Sequence, residues 1–224
     1  MREQKPFERL SVSKLDNAER CLRHYWWQHV RGVEEEMTPA RKMRIDLGEQ
    51  FDREIEEYLL GRRMNLSGAP ATVARYYPVP GQSSVDVQVW VRGTWCGAPM
   101  VGKADLITGP TTRWGSLGVP QKTGLVRITD LKSTSSLRWA KTPEQLDVNR
   151  QLHAYRRALY EGNGQEIPDL GEVCQVVVER NAPHRCRAIV RIVSGEQTLA
   201  VEESDRGLVR SVIALHGVGD VGDI

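Results

Sequence analysis

The sequence has little that would mark a zinc ribbon, a membrane protein or a secreted protein. Its cysteines stand at positions 21, 96, 174 and 186, with no Cys-x-x-Cys pair, which argues against a zinc ribbon. We expect them to be reduced thiols in or near the core. No apolar run approaches the length that crosses a bilayer, and residues 1–6 contain no hydrophobic signal segment. The expectation is a cytoplasmic protein without membrane contact.

The chain also lacks a strong net charge. Its 31 lysines and arginines nearly balance 29 acids, so the formal net charge is +2. A general basic coat is therefore absent, and any nucleic acid must bind in a local basic groove. With 40% hydrophobic and 27% charged residues, the composition is that of an ordinary globular protein.

Hydrophobic periodicity predicts nine elements in the order helix, helix, strand, strand, strand, helix, strand, strand, helix. The predicted ranges, including a turn and a connection, are helix 11–31, loop 34–42, helix 45–60, connection 62–83, strand 85–91, turn 93–99, strand 100–107, strand 125–131, a helix capped by Thr142 with its buried stripe through Val148 to Leu159, strands 174–179 and 186–193, and helix 204–215. One mixed sheet flanked by helices fits this α/β order, in a single domain over 1–224 with a mobile tail at 216–224.

The first predicted helix allows two interpretations. Arg20, Arg23 and His24 lie beside Tyr25, Trp26 and Trp27, and basic groups next to aromatic rings can contact a nucleic-acid strand. The same pattern is equally typical of a core-packing helix with basic edges, and the sequence leaves both open.

The stretch from Val126 to Thr134 carries the clearest chemical signal. Residues two apart in a strand point to the same face, so Asp130 and Lys132 should emerge side by side. Asp105 lies on another predicted strand. If the two strands are neighbours, both carboxylates can hold Mg²⁺ or Mn²⁺, with the Leu131 carbonyl as a third oxygen. Lys132 would then orient or help deprotonate a water, or neutralise charge on a reacting phosphate.

Two further groups have ordinary explanations as well as functional ones. Gln151 and Tyr155 lie one turn apart on a helix, so both can reach the same point. Glu49, Asp52 and Glu56 form an acidic row on helix 45–60, which alone is more typical of a solvated face than of a metal site. Asp-x-Lys is likewise a common tripeptide that usually forms a surface ion pair.

Four stretches in order resemble the RecB-like exonuclease branch of the PD-(D/E)XK nuclease superfamily. They are Ser11–Leu15 with Cys21–Tyr25, Leu47–Asp52 with Glu56 for the Gly-x-x-x-His helix, Val101–Asp105 for the Gly-x-x-Asp motif, and Asp130–Lys132 with Gln151–Tyr155 for the Asp-x-Lys and Gln-x-x-x-Tyr motifs. Each motif is weak alone, but the ordered set spans residues 11 to about 160.

The resemblance implies a restriction-endonuclease-like core and a metal-dependent DNA nuclease, with an exonuclease as the first expectation, in replication, recombination or repair. It implies Asp105, Asp130 and Lys132 as catalytic residues, Gln151 and Tyr155 as substrate-binding residues, and Asp52 as a metal ligand with Asp105, Asp130 and Leu131. Two positions depart from the family pattern: Asp52 replaces the helix histidine, and Leu22 replaces the proline after the early cysteine.

The resemblance also bears on cofactors and partners. Iron–sulfur members of the branch carry three grouped cysteines near the C-terminus, whereas only Cys174 and Cys186 follow the Gln-x-x-x-Tyr helix here, so we expect no iron–sulfur cluster. No Walker-type phosphate loop is present, so an unwinding partner, a helicase or recombination protein, would be a separate chain.

Two other functions remain open. The replacement of histidine by Asp52 suggests a catalytically inactive module that keeps the fold and only binds DNA or an assembly. A metal-dependent enzyme acting on RNA is a weaker alternative, because nothing in the sequence separates the two sugars.

Overall fold

The computed structural model describes residues 7–119, 121, 122 and 124–217. Its helices and strands, in chain order, are α1 Val12–Arg20, α2 Leu22–Tyr25 continuing into a π-helical turn Trp26–Val30, α3 Pro39–Leu59, α4 Gly68–Ala74, β1 Val85–Trp95, β2 Ala98–Thr108, β3 Arg127–Thr134, a 3₁₀ turn Leu137–Trp139, α5 Pro143–Asp147, α6 Arg150–Glu161, β4 Leu170–Glu179, β5 Cys186–Ser194 and α7 Gly195–Leu215.

Five strands form one sheet in the order β1-β2-β3-β4-β5. Only β3 and β4 run parallel, with the helices α5 and α6 between them in the chain, and the other neighbours are antiparallel. One face packs on α1, α6 and α7, which we call the α6-side core. The other packs on α3 and α4, the α3-side core. This mixed sheet flanked by helices confirms the predicted α/β class.

Two predicted helix boundaries are wrong because the capping residues lie outside the predicted ranges, and one further helix was not predicted. The predicted loop 34–42 ends early, since Thr38 caps α3 and Pro39 takes its first position, where a missing N–H costs nothing. The predicted connection 62–83 contains α4. The last helix begins nine residues before Ser204, because Ser194 and Gln197 form a reciprocal capping box.

The helix capped by Thr142 is broken where continuity was predicted. Its capping box with Gln145 is present, but α5 ends at Asp147 and Val148 is exposed instead of buried. Buried Asn149 then starts α6 by accepting the amide protons of Gln151 and Leu152. The second start fixes where Gln151 points, because it places that residue in the first turn of a new helix.

The N-terminal helical segment is also interrupted, at Cys21, and its aromatic residues divide between core and surface. Tyr25 and Trp26 are buried, as the core interpretation expects, whereas Trp27 is half-exposed. His24 pairs with Glu35 at the surface. These contacts favour the core interpretation for the two buried rings.

The first strand changes the face that it buries at Gln88. In a regular strand Val85, Val87, Val89 and Val91 would share one face. Instead Val85 and Val87 pack in the α3-side core, and Val89 and Val91 pack in the α6-side core. Gln88 lies between them with a φ of 55°, a left-handed conformation that reverses the alternation. The period of two predicted the strand but not this reversal.

The second strand changes face at the matching position. Ala104 packs in the α6-side core and Leu106 in the α3-side core, although residues two apart should share a face. Asp105 lies between them, and the pairing of β1 with β2 skips the step between Gln88 and Asp105. The predicted turn 93–99 shrinks to Cys96 and Gly97, both with positive φ, as in a tight two-residue hairpin.

Other expectations concern the ends of the chain and the membrane. Of the predicted mobile tail at 216–224, residues 218–224 lie outside the described part. His216 follows α7 and hydrogen-bonds the Tyr25 hydroxyl across 3.2 Å. Among the described helices, none combines the length and the apolar character needed to cross a bilayer.

The reversal at Gln88 gives a test of this fold. In a regular strand valine is more stable than glycine, because β-branched residues favour the extended conformation. At a positive φ the order reverses, so Gln88→Val should be less stable than Gln88→Gly by about 1–2 kcal/mol. Urea unfolding of both variants measures the difference. The same pair at Asp86, a regular exposed position on β1, should show valine above glycine. The same order at both positions would contradict a reversal at Gln88.

Candidate active site

The site forms where β2 and β3 separate. The two strands pair at only three positions, ending at Leu106 and Thr129, and the next step of that register sets Asp105 opposite Asp130. The ladder stops there, and the Asp105 side chain takes over: its Oδ2 accepts the backbone N–H of Leu131 at 2.8 Å. The predicted neighbouring strands therefore bring the two predicted carboxylates together at the point of separation.

Asp130 is held by three side chains. It is 2% exposed, and its Oδ1 accepts the Lys132 ammonium at 2.8 Å and the Gln151 amide at 3.0 Å. Gln175 donates to its other oxygen at 3.2 Å. Asp130 and Lys132 thus lie side by side on β3 as the strand period predicts, and the half-exposed lysine is more than the common surface pair because its partner is buried.

Tyr155 completes the row from α6. The Gln151 amide donates to its hydroxyl at 3.4 Å, so the two residues meet at one point as their spacing predicts. The ring lies directly against Gly102 of β2, where an added Cβ would come within 2.1 Å of the ring carbon Cε1. The glycine of the Gly-x-x-Asp stretch therefore makes room for the tyrosine of the Gln-x-x-x-Tyr stretch.

Two carboxylates this close repel each other, and the pKa of Asp105 reflects it. Burial, and then the charge of Asp130, raise the pKa of Asp105 to about 6, against a smaller opposing effect of the Leu131 N–H. Burial acts to lower the pKa of Lys132, but the Asp130 carboxylate outweighs it and the pKa is raised. Lys132 is accordingly a cation at neutral pH, which favours a charge-neutralising role over that of a base.

Asp52 interacts electrostatically with the carboxylate pair from α3. It is exposed on α3, and its pKa is raised first by burial and then by the Asp130 charge, while Lys132 lowers it. In residues 7–119, 121, 122 and 124–217, no three His, Cys, Asp or Glu side chains are grouped to hold a metal ion. Asp105 and Asp130 form a pair at the strand separation.

The donor chemistry of the pair fits a hard divalent cation. Mg²⁺ is usually held by one or two carboxylates, with water and substrate oxygens completing its shell. Asp105 and Asp130 supply two, and the raised pKa of Asp105 indicates negative charge that the protein leaves partly uncompensated. A cation at this point would remove the repulsion.

Sequence reasoning missed two supporting glutamines and one tyrosine. Gln175 is the one polar residue in the apolar run from Val173 to Val178, a signal that could have identified it. The amide of Gln88 lies 3.4 Å from Asp105, and no sequence pattern marks its positive φ. Tyr77 is buried with its hydroxyl unpaired, and after burial Asp105 and Asp130 contribute to its raised pKa; its position in a loop gave no signal.

A cleft of about 630 Å³ opens beside Asp130. Lys132, Gln151 and Tyr155 form one side, and Arg9, Lys14, Lys103 and Trp90 are among the residues of the other walls. Four basic side chains face one acid in its lining, Asp16, which is itself paired with Arg150 at 2.8 Å. The chain therefore has a local basic groove despite its small net charge.

Crowding at Gly102 gives the first test of the site. Gly102→Ala should lower the free energy of unfolding by about 1–3 kcal/mol, because the added methyl must displace the Tyr155 ring. Gly48→Ala is the matched control: its Cβ meets nothing within 4 Å, and alanine favours the α3 helix by about 1 kcal/mol. Chemical denaturation measures both. The same change in the free energy of unfolding in both variants, or no loss in Gly102→Ala, would contradict the contact with Tyr155.

Repulsion between the carboxylates gives the second test. The folded-state pKa of Asp105, about 6, lies above its ordinary value of 3.8. The folded state therefore binds more protons than the unfolded chain between these values, and stability falls as pH rises through that window. With divalent metals chelated, Asp105→Asn should be more stable than the wild type at pH 7 by on the order of 2 kcal/mol.

This difference should vanish near pH 4, where the unfolded carboxyl is protonated too. Thermal unfolding across pH 4–8 measures it, and Asp86→Asn, at an exposed acid of the same sheet, is the control. Parallel pH profiles for the wild type and Asp105→Asn would contradict a charged pair at the strand separation.

Comparisons with known proteins support the fold and no more. No protein-family model matches the chain, and no curated protein sequence does. Among solved structures, a protein from Eubacterium rectale described as a "putative exonuclease" is similar, with a TM-score of 0.56 and 16% identity over 97% of this chain and 83% of that chain. At that identity the likeness shows a shared overall fold.

A second solved structure, SSO0001, has a TM-score of 0.47 and 13% identity over 92% of this chain and 78% of that chain. It is too distant to add to the assignment.

Proposed function

We propose that this chain is a metal-dependent DNA nuclease, in the first place an exonuclease, of the RecB-like PD-(D/E)XK branch. It would hydrolyse phosphodiester bonds in replication, recombination or repair, as a single nuclease domain working with a separate helicase or recombination protein. One observation carries the proposal. Asp105 lies opposite Asp130 where β2 and β3 separate, and the Lys132 ammonium, which binds the Asp130 carboxylate, lines a basic cleft.

The residues divide the work by their contacts. Asp105 and Asp130 would hold Mg²⁺ or Mn²⁺, with Asp52 and the Leu131 carbonyl as proposed further ligands. A divalent cation supplies Lewis-acid stabilisation of charge on phosphate oxygens and makes water a better nucleophile. Lys132, a cation beside Asp130, would neutralise charge that develops on the reacting phosphate.

Gln151 and Tyr155 would support Asp130 and the substrate from α6. The Gln151 amide fixes the orientation of the carboxylate through its 3.0 Å bond, which keeps one oxygen turned toward Lys132. The Tyr155 hydroxyl reaches the same amide and lines the cleft, where it can donate to a phosphate oxygen. Burial, and next to it the two aspartates, raise the pKa of Tyr155, so the hydroxyl keeps its proton at neutral pH.

A second candidate is a DNA-binding module without catalysis. It is favoured by the position of Asp52, which does not join Asp105 and Asp130 in a group of three ligands within the described residues. Salt-sensitive DNA binding without cleavage in Mg²⁺ or Mn²⁺ is its signature. The bonded set of Asp130, Lys132 and Gln151 favours the nuclease, since a module that only binds DNA does not need a buried carboxylate held in this way.

The experiment is a cleavage panel with single-stranded, duplex, flap, circular and RNA substrates, each in Mg²⁺ and in Mn²⁺. Asp130→Asn and Lys132→Met should each lower the cleavage rate on linear DNA by about a hundredfold or more, because the first removes a carboxylate that would hold the metal and the second removes the cation that would neutralise charge on the phosphate. Asp86→Asn, an exposed acid of β1, is the control and should cleave as the wild type does.

Metal binding has a readout that does not depend on cleavage. Added Mn²⁺ should raise the melting temperature of the wild type, because a ligand that binds only the folded state stabilises it, and Asp105→Asn should show a smaller rise. If Mn²⁺ stabilises the protein but no substrate is cleaved, the DNA-binding module without catalysis is the remaining function. Unchanged cleavage by Asp130→Asn would overturn the assigned site.

A further inference from the structure

Trp90 is a large apolar side chain that the fold leaves in solvent. It lies on β1 opposite Lys103 of β2 and is 63% exposed. The Lys103 ammonium lies 6.0 Å from the ring centroid, within cation–π range. Its neighbours Val89 and Val91 face the α6-side core, so the reversal at Gln88 is what turns Trp90 outward.

A single exposed tryptophan is common on protein surfaces and needs no explanation by itself. The position of Trp90 in the cleft is what distinguishes it. Trp90 lines the same cleft as Lys132, Gln151 and Tyr155, the residues around Asp130. Arg9 and Lys14 lie in that cleft too. A flat ring with a cation beside it, in a basic cleft, matches the two features of a nucleic-acid strand: the face of a base and the charge of its phosphates.

We propose that Trp90, braced by Lys103, stacks an unpaired base of the strand whose phosphate reaches Asp130. The inference rests on the proposed function and gives its substrate a class: single-stranded DNA, or an end or flap that is unpaired at the site. Bases within a duplex are covered by their neighbours, so a side chain can stack on a base face only where the strand is open.

Trp139 supplies the matched control. It is 64% exposed and has the Arg138 guanidinium 4.8 Å from its ring centroid, so its exposure and its cationic neighbour resemble those of Trp90. It lies in the 3₁₀ turn after β3 and is not among the residues that line this cleft. The two tryptophans therefore differ mainly in their place relative to Asp130.

The experiment measures binding by the full chain in EDTA, so that cleavage plays no part. The probes are a fluorescent oligothymidylate of about 12 nucleotides, a strand of equal length with abasic sites at its centre, and the matching duplex. Trp90→Ala should weaken binding of oligothymidylate about 5- to 100-fold and leave abasic binding unchanged, because stacking needs a base. Trp90→Phe should restore most of the affinity, and Trp139→Ala should have no effect.

Three results would overturn the proposal: equal binding of oligothymidylate and abasic strand by the wild type, equal losses on both strands in Trp90→Ala, or tighter binding of duplex than of single strand. Failure of the nuclease function is a separate result. Base-dependent binding through Trp90 without cleavage would overturn only the catalytic proposal. Cleavage that depends on Asp130 but not on Trp90 would overturn only the stacking proposal.

Discussion

The structure around the site depends on two aspartates that lie on neighbouring strands. Asp105 and Asp130 occupy the position where the next backbone pair of β2 and β3 would form, and both are largely withdrawn from solvent. A protein can keep such a pair away from solvent only if hydrogen-bond donors surround it. The protein supplies the Leu131 N–H, the amides of Gln151 and Gln175, and the Lys132 ammonium. The backbone hydrogen bonds between β2 and β3 end at this point, and hydrogen bonds to the two carboxylates replace them.

The elements around the pair make sense as supports for those donors. The helix α5 ends at Asp147 and Asn149 then caps α6, which sets Gln151 at the first turn of α6. Arg150 then binds Asp205 of α7 in a bidentate pair and Asp16 of α1 as well, so three helices are joined next to the residue that holds Asp130. Gly102 lets the Tyr155 ring lie against β2. A pair of carboxylates that repel each other needs a rigid surrounding to hold them together.

The sequence could predict what depends on neighbours along the chain. Asp130 and Lys132 share a face because a strand has a period of two, and Gln151 and Tyr155 meet because a helix turn spans about four residues. Two features were out of reach. Breaks such as Asn149 follow from a cap that competes with a continuous apolar stripe, and the stripe through Val148 was given too much weight. The reversal at Gln88 has no local signal, since glutamine seldom adopts a positive φ and does so here at the step where Gln88 and Asp105 both leave the ladder.

That reversal links the chemistry of the site to the surface that would receive a substrate. If β1 and β2 kept their alternation beyond Gln88 and Asp105, Val89 and Val91 would stay on the α3 side and Trp90 would enter the α6-side core. With the reversal, the same strands bury their valines under α6 and turn Trp90 and Lys103 outward beside the carboxylates. The departure from regular pairing that frees Asp105 from the sheet thus also exposes an aromatic and basic wall next to it. One irregularity in two strands therefore accounts for both halves of the site, the pair of acids and the cleft that leads to them.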